Sequence, residues 1–258
     1  MDLKFIILLI IYPAVFTFEH IYPNYYPRYN HFRHSIRNLL VSIINGLISL
    51  FIVSAVNQYL AGIIKENDFG LLNLKLIPLW LRIVLSFLLF DLWMYLWHMA
   101  NHRVPFLWLF HRSHHNDPEM DGSTALRFHP VEILISSALR LPVFIVLGMN
   151  IAALTIYEIV FLSNILFHHS NIYLPASVDR IIRVILVTPD MHRMHHSVKK
   201  KNLNSNFSSV LSIWDKIFKT FTKWGDTRLV TIGLKLYREE KWQKPLGILA
   251  LPLKGLSE

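Results

Sequence analysis

Apolar residues in this chain gather in five long runs, at about 3–18, 38–60, 76–97, 131–148 and 151–167. The stretches between them are polar and rich in aromatic and cationic residues. The runs neither alternate with period two nor form a single helical stripe, which is the pattern of helices apolar on every side. A helix needs roughly 20 apolar residues to cross a bilayer, and the second and third runs satisfy this. The first is shorter, and with Lys4 near its start and no small-residue cleavage pattern it reads as an anchor. The fourth and fifth, joined by Gly148-Met149-Asn150, predict a tight hairpin that either spans or dips and returns, with Arg140 and Pro142 inside its first arm. The expected fold is all-α: an integral membrane protein of four or five segments carrying a histidine-rich helical cap.

Charge supplies an orientation. Of 26 Lys and Arg, 15 follow His168 against seven acids, so this part carries +8 of the +9 net charge. Arg28, Arg33 and Arg37 separate the first two runs, and Arg103, Arg112 and Arg127 follow the third. Between the second and third runs, Lys65 and Lys75 are offset by Glu66 and Asp68. By the positive-inside rule the arginine loops and the tail are cytoplasmic. Five crossings with the amino terminus outside satisfy this, and they put every histidine cluster on the cytoplasmic side. The run Lys199-Lys200-Lys201 suits anionic headgroups; nucleic acid is not an expected partner. Without cysteine the chain has no disulfide, no thiolate zinc site, no iron–sulfur cluster and no covalent haem attachment. The expected organisation is membrane segments over 1–79, a catalytic region over 80–222 and a basic tail over 223–258.

Eleven of the 14 histidines lie between positions 98 and 196: ten in four clusters, and His129 alone. The clusters are His98/His102, His111/His114/His115, His168/His169 and His192/His195/His196. Neutral imidazole is the commonest metal ligand near pH 7. Positions i, i+3 and i+4 share a helix face, so each H-x-x-H-H is expected to present three rings to one point. Two matched triplets and a pair exceed what one ion can use, so the pattern predicts a site for two metals. Neighbouring residues on a helix diverge by about 100°, so only one of His168 and His169 joins a given ion. Asp91 shares a helix face with Tyr95, His98 and His102; it either orients a ligand histidine or pairs with Arg140, for which Glu158 is another partner. His129 is a further ligand candidate, while His20, His31 and His34 read as interfacial residues.

These residues carry a resemblance. The string from Asp91 through Trp97-His98 and His102, Leu107-Trp108-Leu109-Phe110-His111-Arg112-Ser113-His114-His115 and Thr124-Ala125-Leu126-Arg127-Phe128-His129-Pro130 resembles the fatty acid hydroxylase superfamily, in its bacterial sterol desaturase-like branch. So do Phe167-His168-His169-Ser170-Asn171, Thr188-Pro189-Asp190-Met191-His192-Arg193-Met194-His195-His196, Asn206-Phe207 and Trp214-Asp215-Lys216-Ile217-Phe218. The likeness runs from about 80 to 222. It implies a non-haem di-iron enzyme of a bacterial inner membrane that uses O2 and two electrons to hydroxylate a sterol, hopanoid, carotenoid or fatty acyl lipid. It also implies metal ligation by His98, His102, His111, His114, His115, His192, His195 and His196. The branch pattern adds His169 ahead of His168, with Asp91 and Asn171 as orienting residues. Two iron ions are the implied cofactor, with zinc an alternative occupant of isolated protein, and a separate ferredoxin- or cytochrome-type donor supplies electrons. Desaturation by the same site is one alternative; a histidine-rich membrane metal-binding or transport protein is the other.

Overall fold

A computed structural model of the chain describes residues 3–26, 30–67, 69–73 and 77–255. Arg28, Asp68 and Lys75, which entered the charge argument, lie outside the described residues. The described chain is helical, with no sheet; isolated antiparallel bridges join Pro23 to Ile172, Leu186 to Leu211 and Ser197 to Ile232.

The apolar runs become helices α1 (Leu3–Ile21), α2 (His31–Ile48), α3 (Ser54–Glu66), α4 (Leu79–Arg103), α6 (Pro130–Leu147) and α7 (Ile151–His169). A π-helical turn, Ser49–Val53, fuses α2 and α3 into one rod. Four elements are long and apolar enough to cross a membrane: this rod (His31–Glu66), α4, α6 and α7. The apolar stretch of α1, Ile6–Ile21, is shorter. The second run was expected at 38–60, but its helix starts a full two turns earlier, because Asn30 caps it by accepting from the Arg33 amide at 2.9 Å. The cap is built from α5 (Pro105–His115), α8 (Ala176–Ile182), α9 (Pro189–His195), α10 (Lys200–Leu203), α11 (Ile213–Ile217) and α12 (Pro245–Ala250).

Local chemistry sets the breaks that matter. Val104 is extended (φ −92°, ψ 114°), as the residue before a proline prefers. The chain therefore leaves α4 at Arg103 and restarts with Pro105 at the first position of α5. At the far end of the bundle, Gly148 terminates α6 with φ +68° and Asn150 caps α7 by accepting from Ala153. Gly70, also at positive φ, packs directly on Gly148, where any side chain on either residue would collide.

The N-terminal helices are fastened to the cap by buried charge. His34 is not interfacial: its Nδ1 lies 2.7 Å from Asp121 Oδ2 and its Nε2 2.8 Å from Asp117 Oδ1. His31 Nε2 lies 2.9 Å from Asp121, and its ring stacks on Phe16 and packs at a tilt against the exposed His20. Burial alone would raise the Asp117 carboxyl, but His34 and Arg127 hold it below its usual range. Arg112 and Arg127 are likewise fully buried rather than facing headgroups. Arg112 donates to Leu251 O at 2.6 Å, and Arg127 to Ser113 O, Asn38 and Gln243. Through these bonds and the buried Ile248 and Leu251, the last turns of the chain close over α5.

Candidate metal centre

The break at Val104-Pro105 folds α5 back on the end of α4, and α7 and α9 deliver their histidines to the same place. Two groups result. His98, His102, His111, His115 and His195 form one, and His114, His169, His192 and His196 the other; within each, one nitrogen per ring lies within 4.8 Å of all the rest. These are the nine main candidates of the sequence reading, all brought together.

The triplets divide in a way the spacing alone does not predict. Each was expected to aim three rings at one point, but each feeds both groups. In the first triplet, the i, i+4 pair His111/His115 joins the five-histidine group and His114 the other. In the second, His192/His196 joins the four-histidine group and His195 crosses over. Side chains at i and i+4 lie nearly above one another, whereas i+3 is displaced to the other side of the stripe. With α5 and α9 facing each other across the site, the displaced ring of each reaches the partner's group.

Hydrogen bonds fix several ring orientations. His111 Nδ1 lies 2.7 Å from Glu132 Oε1. The Nδ1 atoms of His98, His195 and His169 lie 2.8, 2.7 and 2.7 Å from the carbonyls of Phe207, Ser205 and Ile165, to which they donate. A ring that donates from Nδ1 to a carbonyl keeps Nε2 as a lone-pair donor for a metal. In the four-histidine group, His169 Nε2 lies 3.1 Å from His114 Nε2 and 3.0 Å from His192 Nε2, and His192 to His196 is 3.2 Å. Ligand nitrogens at right angles on an ion about 2.1 Å away are themselves about 3 Å apart. Four converging rings cannot all satisfy one another by hydrogen bonds, because two lone pairs repel. His102, His111, His115 and His195 in the other group hold buried Nε2 atoms with no hydrogen-bond partner. The donor set therefore fits a pair of cations that accept imidazole nitrogen.

Electrostatics agree. Burial, reinforced by the neighbouring rings, lowers His114, His115, His192 and His196 well below the usual histidine range, and burial pushes His195 down to about 3. These rings are neutral at pH 7, the state that ligates metal.

The remaining candidates fall elsewhere. His129 caps α6: its Nδ1 accepts from Val131 at 3.2 Å and its Nε2 lies 3.2 Å from Leu249 O. His168 packs at a tilt against His192 with centroids 4.1 Å apart, but its Nδ1 accepts from Asn164, and it belongs to neither group. Asp91 contacts neither a ligand histidine nor Arg140; it accepts from Trp214 Nε1 at 2.8 Å, Leu211 N at 3.1 Å and Tyr157 Oη at 3.1 Å. A mid-helix acid on the His98 face thus anchors the 207–214 loop whose Phe207 carbonyl holds His98. Asn171 holds no histidine either; its side chain bonds both backbone groups of Tyr25.

Two supports escaped the sequence reading. Glu132 is the only acid in the fourth apolar run, two residues past Pro130, so a signal existed. Asp215 stands in one of the strings that carry the resemblance, but its role there was not legible, because it acts through the backbone, accepting from Phe207 N at 2.8 Å and Ser208 N at 2.9 Å.

The sequence model of the family described as fatty acid hydroxylase matches residues 83–220, more than half the chain and the whole of this centre. The chain is similar to alkylglycerol monooxygenase of Homo sapiens, at 30% identity over 53% of this chain and 29% of that protein. It is similar to an ornithine lipid hydroxylase of Rhizobium tropici at 28% identity over 56% of this chain and 43% of that one. With cholesterol 25-hydroxylase of Mus musculus the identity is 25%, over 84% of this chain and 71% of that protein. The chain thus spans less than half the length of the first two relatives. No solved structure matches it. The matched stretch begins inside α4 and ends just past the loop that supports His98 and His195, so all nine clustered histidines fall within it, and the chain belongs to the fatty acid hydroxylase family.

Proposed function

We propose that the two histidine groups hold a pair of iron ions and that the protein hydroxylates a C–H bond of a membrane lipid. The observation that carries this is the division of nine histidines, seven of them buried and His98 and His102 half-buried, into two adjacent groups at the ends of apolar helices. The named relatives support the reaction class: they act on alkylglycerol, an ornithine lipid and cholesterol, all lipids, and are called monooxygenase or hydroxylase. The reaction balances as R–H + O2 + 2e⁻ + 2H⁺ → R–OH + H2O, and the electrons come from a separate donor protein on the cytoplasmic side. Iron at such a site supplies the redox chemistry that an unactivated C–H bond requires.

The chain's own residues do the rest. Glu132 and the carbonyls of Phe207, Ser205 and Ile165 lock four rings, which removes reorganisation when the site loads. Phe207, fully buried, packs its ring 5.3 Å from that of His102 and 5.6 Å from that of His195, excluding water from this side. A centre at the ends of helices long and apolar enough to span a membrane suits a lipid chain that arrives from the bilayer without entering water. An all-imidazole donor set leaves no carboxylate to take part, unlike soluble di-iron bundles.

The test is elemental analysis with Mössbauer spectroscopy of protein grown on enriched iron, followed by turnover with O2 and a reductant. About two irons per chain with a coupled signal is the expected result. Stoichiometric zinc that iron cannot replace, with no oxidised lipid formed, would overturn the reading.

A further inference from the structure

Away from the histidines, the bundle holds a second polar constellation that takes no part in metal ligation. A cavity of about 490 Å³ opens between the α2–α3 rod and α7, lined by Ser54, Asn57, Gln58, Thr155 and Glu158 among apolar residues. A smaller recess shares Asn57 and Glu158 and carries Ser137 and Arg140 from α6. Arg140 faces the charge of Glu158 and donates to Ser136 O and Ser137 Oγ, so the pair is balanced. Polar and ionisable residues inside apolar spans are costly and mark functional positions. The π-helical turn at Ser49–Val53 borders the same place, with Leu50 on the cavity and Val53 on the recess. Single π turns within helices concentrate at functional sites. Glu158 lies eleven residues before His169 on α7, or about 16 Å along the helix, so this polar pocket is deep in the span and separate from the metal centre.

We propose that this cavity binds the hydroxyl end of a neutral lipid. The amides of Asn57 and Gln58 offer both donors and acceptors, and Ser54 and Thr155 add hydroxyls. Thr155 Oγ1 spends its proton on Ile151 O at 2.7 Å and so presents lone pairs. A charged headgroup is disfavoured, since the Arg140–Glu158 pair leaves no net charge to match it at this depth. A plain hydrocarbon is disfavoured too, because it would leave the polar wall unsatisfied. A hydroxyl, donor and acceptor in one uncharged group, matches the wall.

The experiment uses the full chain in nanodiscs and two photoreactive probes, a long-chain alcohol with a diazirine beside its hydroxyl and the matched alkane without one. Preferential labelling of residues 50–58 and 151–158 by the alcohol, about fivefold as one net hydrogen bond supplies, is expected. Asn57→Leu and, as a second variant, Gln58→Leu should bring the ratio toward one while iron content holds. Equal labelling by both probes, or a ratio unmoved by both variants, overturns the site. The hydroxyl can belong to a resident lipid or to the lipid that the centre oxidises. Oxidation of the bound alcohol by the iron-loaded protein assigns it to the substrate, and binding without oxidation to a resident lipid; both uphold the site. Only the substrate assignment rests on the oxygenase reading, and iron content tests that reading independently.

Discussion

The two H-x-x-H-H triplets share a spelling and differ in almost everything else. The first ends an eleven-residue helix started by Pro105; Arg112 inside the triplet and Arg127 beyond it are buried donors to the tail and to α2. Its His111 is oriented by a carboxylate, Glu132. The second occupies a seven-residue helix capped by Thr188, with His196 just beyond its end, and its His195 is oriented by a backbone carbonyl. Yet each sends its i, i+4 pair to one group and its middle ring to the other, with the groups exchanged. Equal motif spacing therefore allows the i, i+4 pair to stay together, and the docking of each helix decides that it does and where each ring goes.

The sharpest way to break this comparison is to remove one pair at a time. The double variant His111→Ala with His115→Ala should lower iron from about two to about one per chain, and His192→Ala with His196→Ala should do the same at the other group. Elemental analysis counts the ions, and the loss of magnetic coupling shows that one of a pair is gone. Loss of neither ion in either variant would show that the groups are not the sites.

The second effect is smaller and asymmetric. Glu132→Gln keeps the shape beside His111 but removes the charge that favours Nδ1–H, so affinity at the five-histidine group should fall by about 10–100-fold. Chelator competition should then show one ion leaving early and one unchanged. A uniform weakening of both would mean that Glu132 stabilises the cap as a whole rather than one ring.

How much of this was legible follows from what each residue acts through. Helix positions and the nine clustered histidines were visible because apolar runs and i, i+4 spacing are local properties. The division of each triplet was not, since it depends on α5 and α9 facing each other. His129 reads as a ligand candidate in a histidine-rich chain, but the Pro130 after it marks a helix start, and the ring serves as the cap. Asp91 was rightly singled out as a costly acid, but its partners, Leu211 and Trp214, lie 120 or more positions away and no periodicity connects them. His34 looked interfacial because the two carboxylates that bury it follow the second histidine box, more than 80 residues later.

A third substitution tests the carbonyl-based support. Asp215→Asn keeps one acceptor oxygen but puts an amide nitrogen opposite one of the two N–H groups, Phe207 N or Ser208 N, that now donate to the carboxylate, which should cost about 1–3 kcal/mol. The 205–208 loop would loosen and release the carbonyls under His98 and His195. Thermal unfolding of the loaded protein should fall, with iron content near its original value. An unchanged melting temperature would show that the loop is held by its other contacts, Asp91 foremost.

The smallest effect separates the two helices by how each begins. Thr188 caps α9, accepting from Met191 N at 3.4 Å and donating to Asp179 at 2.5 Å, whereas α5 starts on a proline that gives up no hydrogen bond. Thr188→Ala should therefore cost about 1 kcal/mol through the lost cap, and Pro105→Ala about 0.4–1 kcal/mol, chiefly by freeing the unfolded chain. The stability losses are similar, but the consequences for the centre are not. A frayed α9 start moves His192 within its first turns, so Thr188→Ala should speed iron release from the four-histidine group, and Thr188→Ser should restore it. Pro105→Ala changes a position one and a half turns before His111 and should leave both release rates alone. If both variants release iron equally fast, helix starts matter only through global stability, and the triplets differ in support but not in local rigidity.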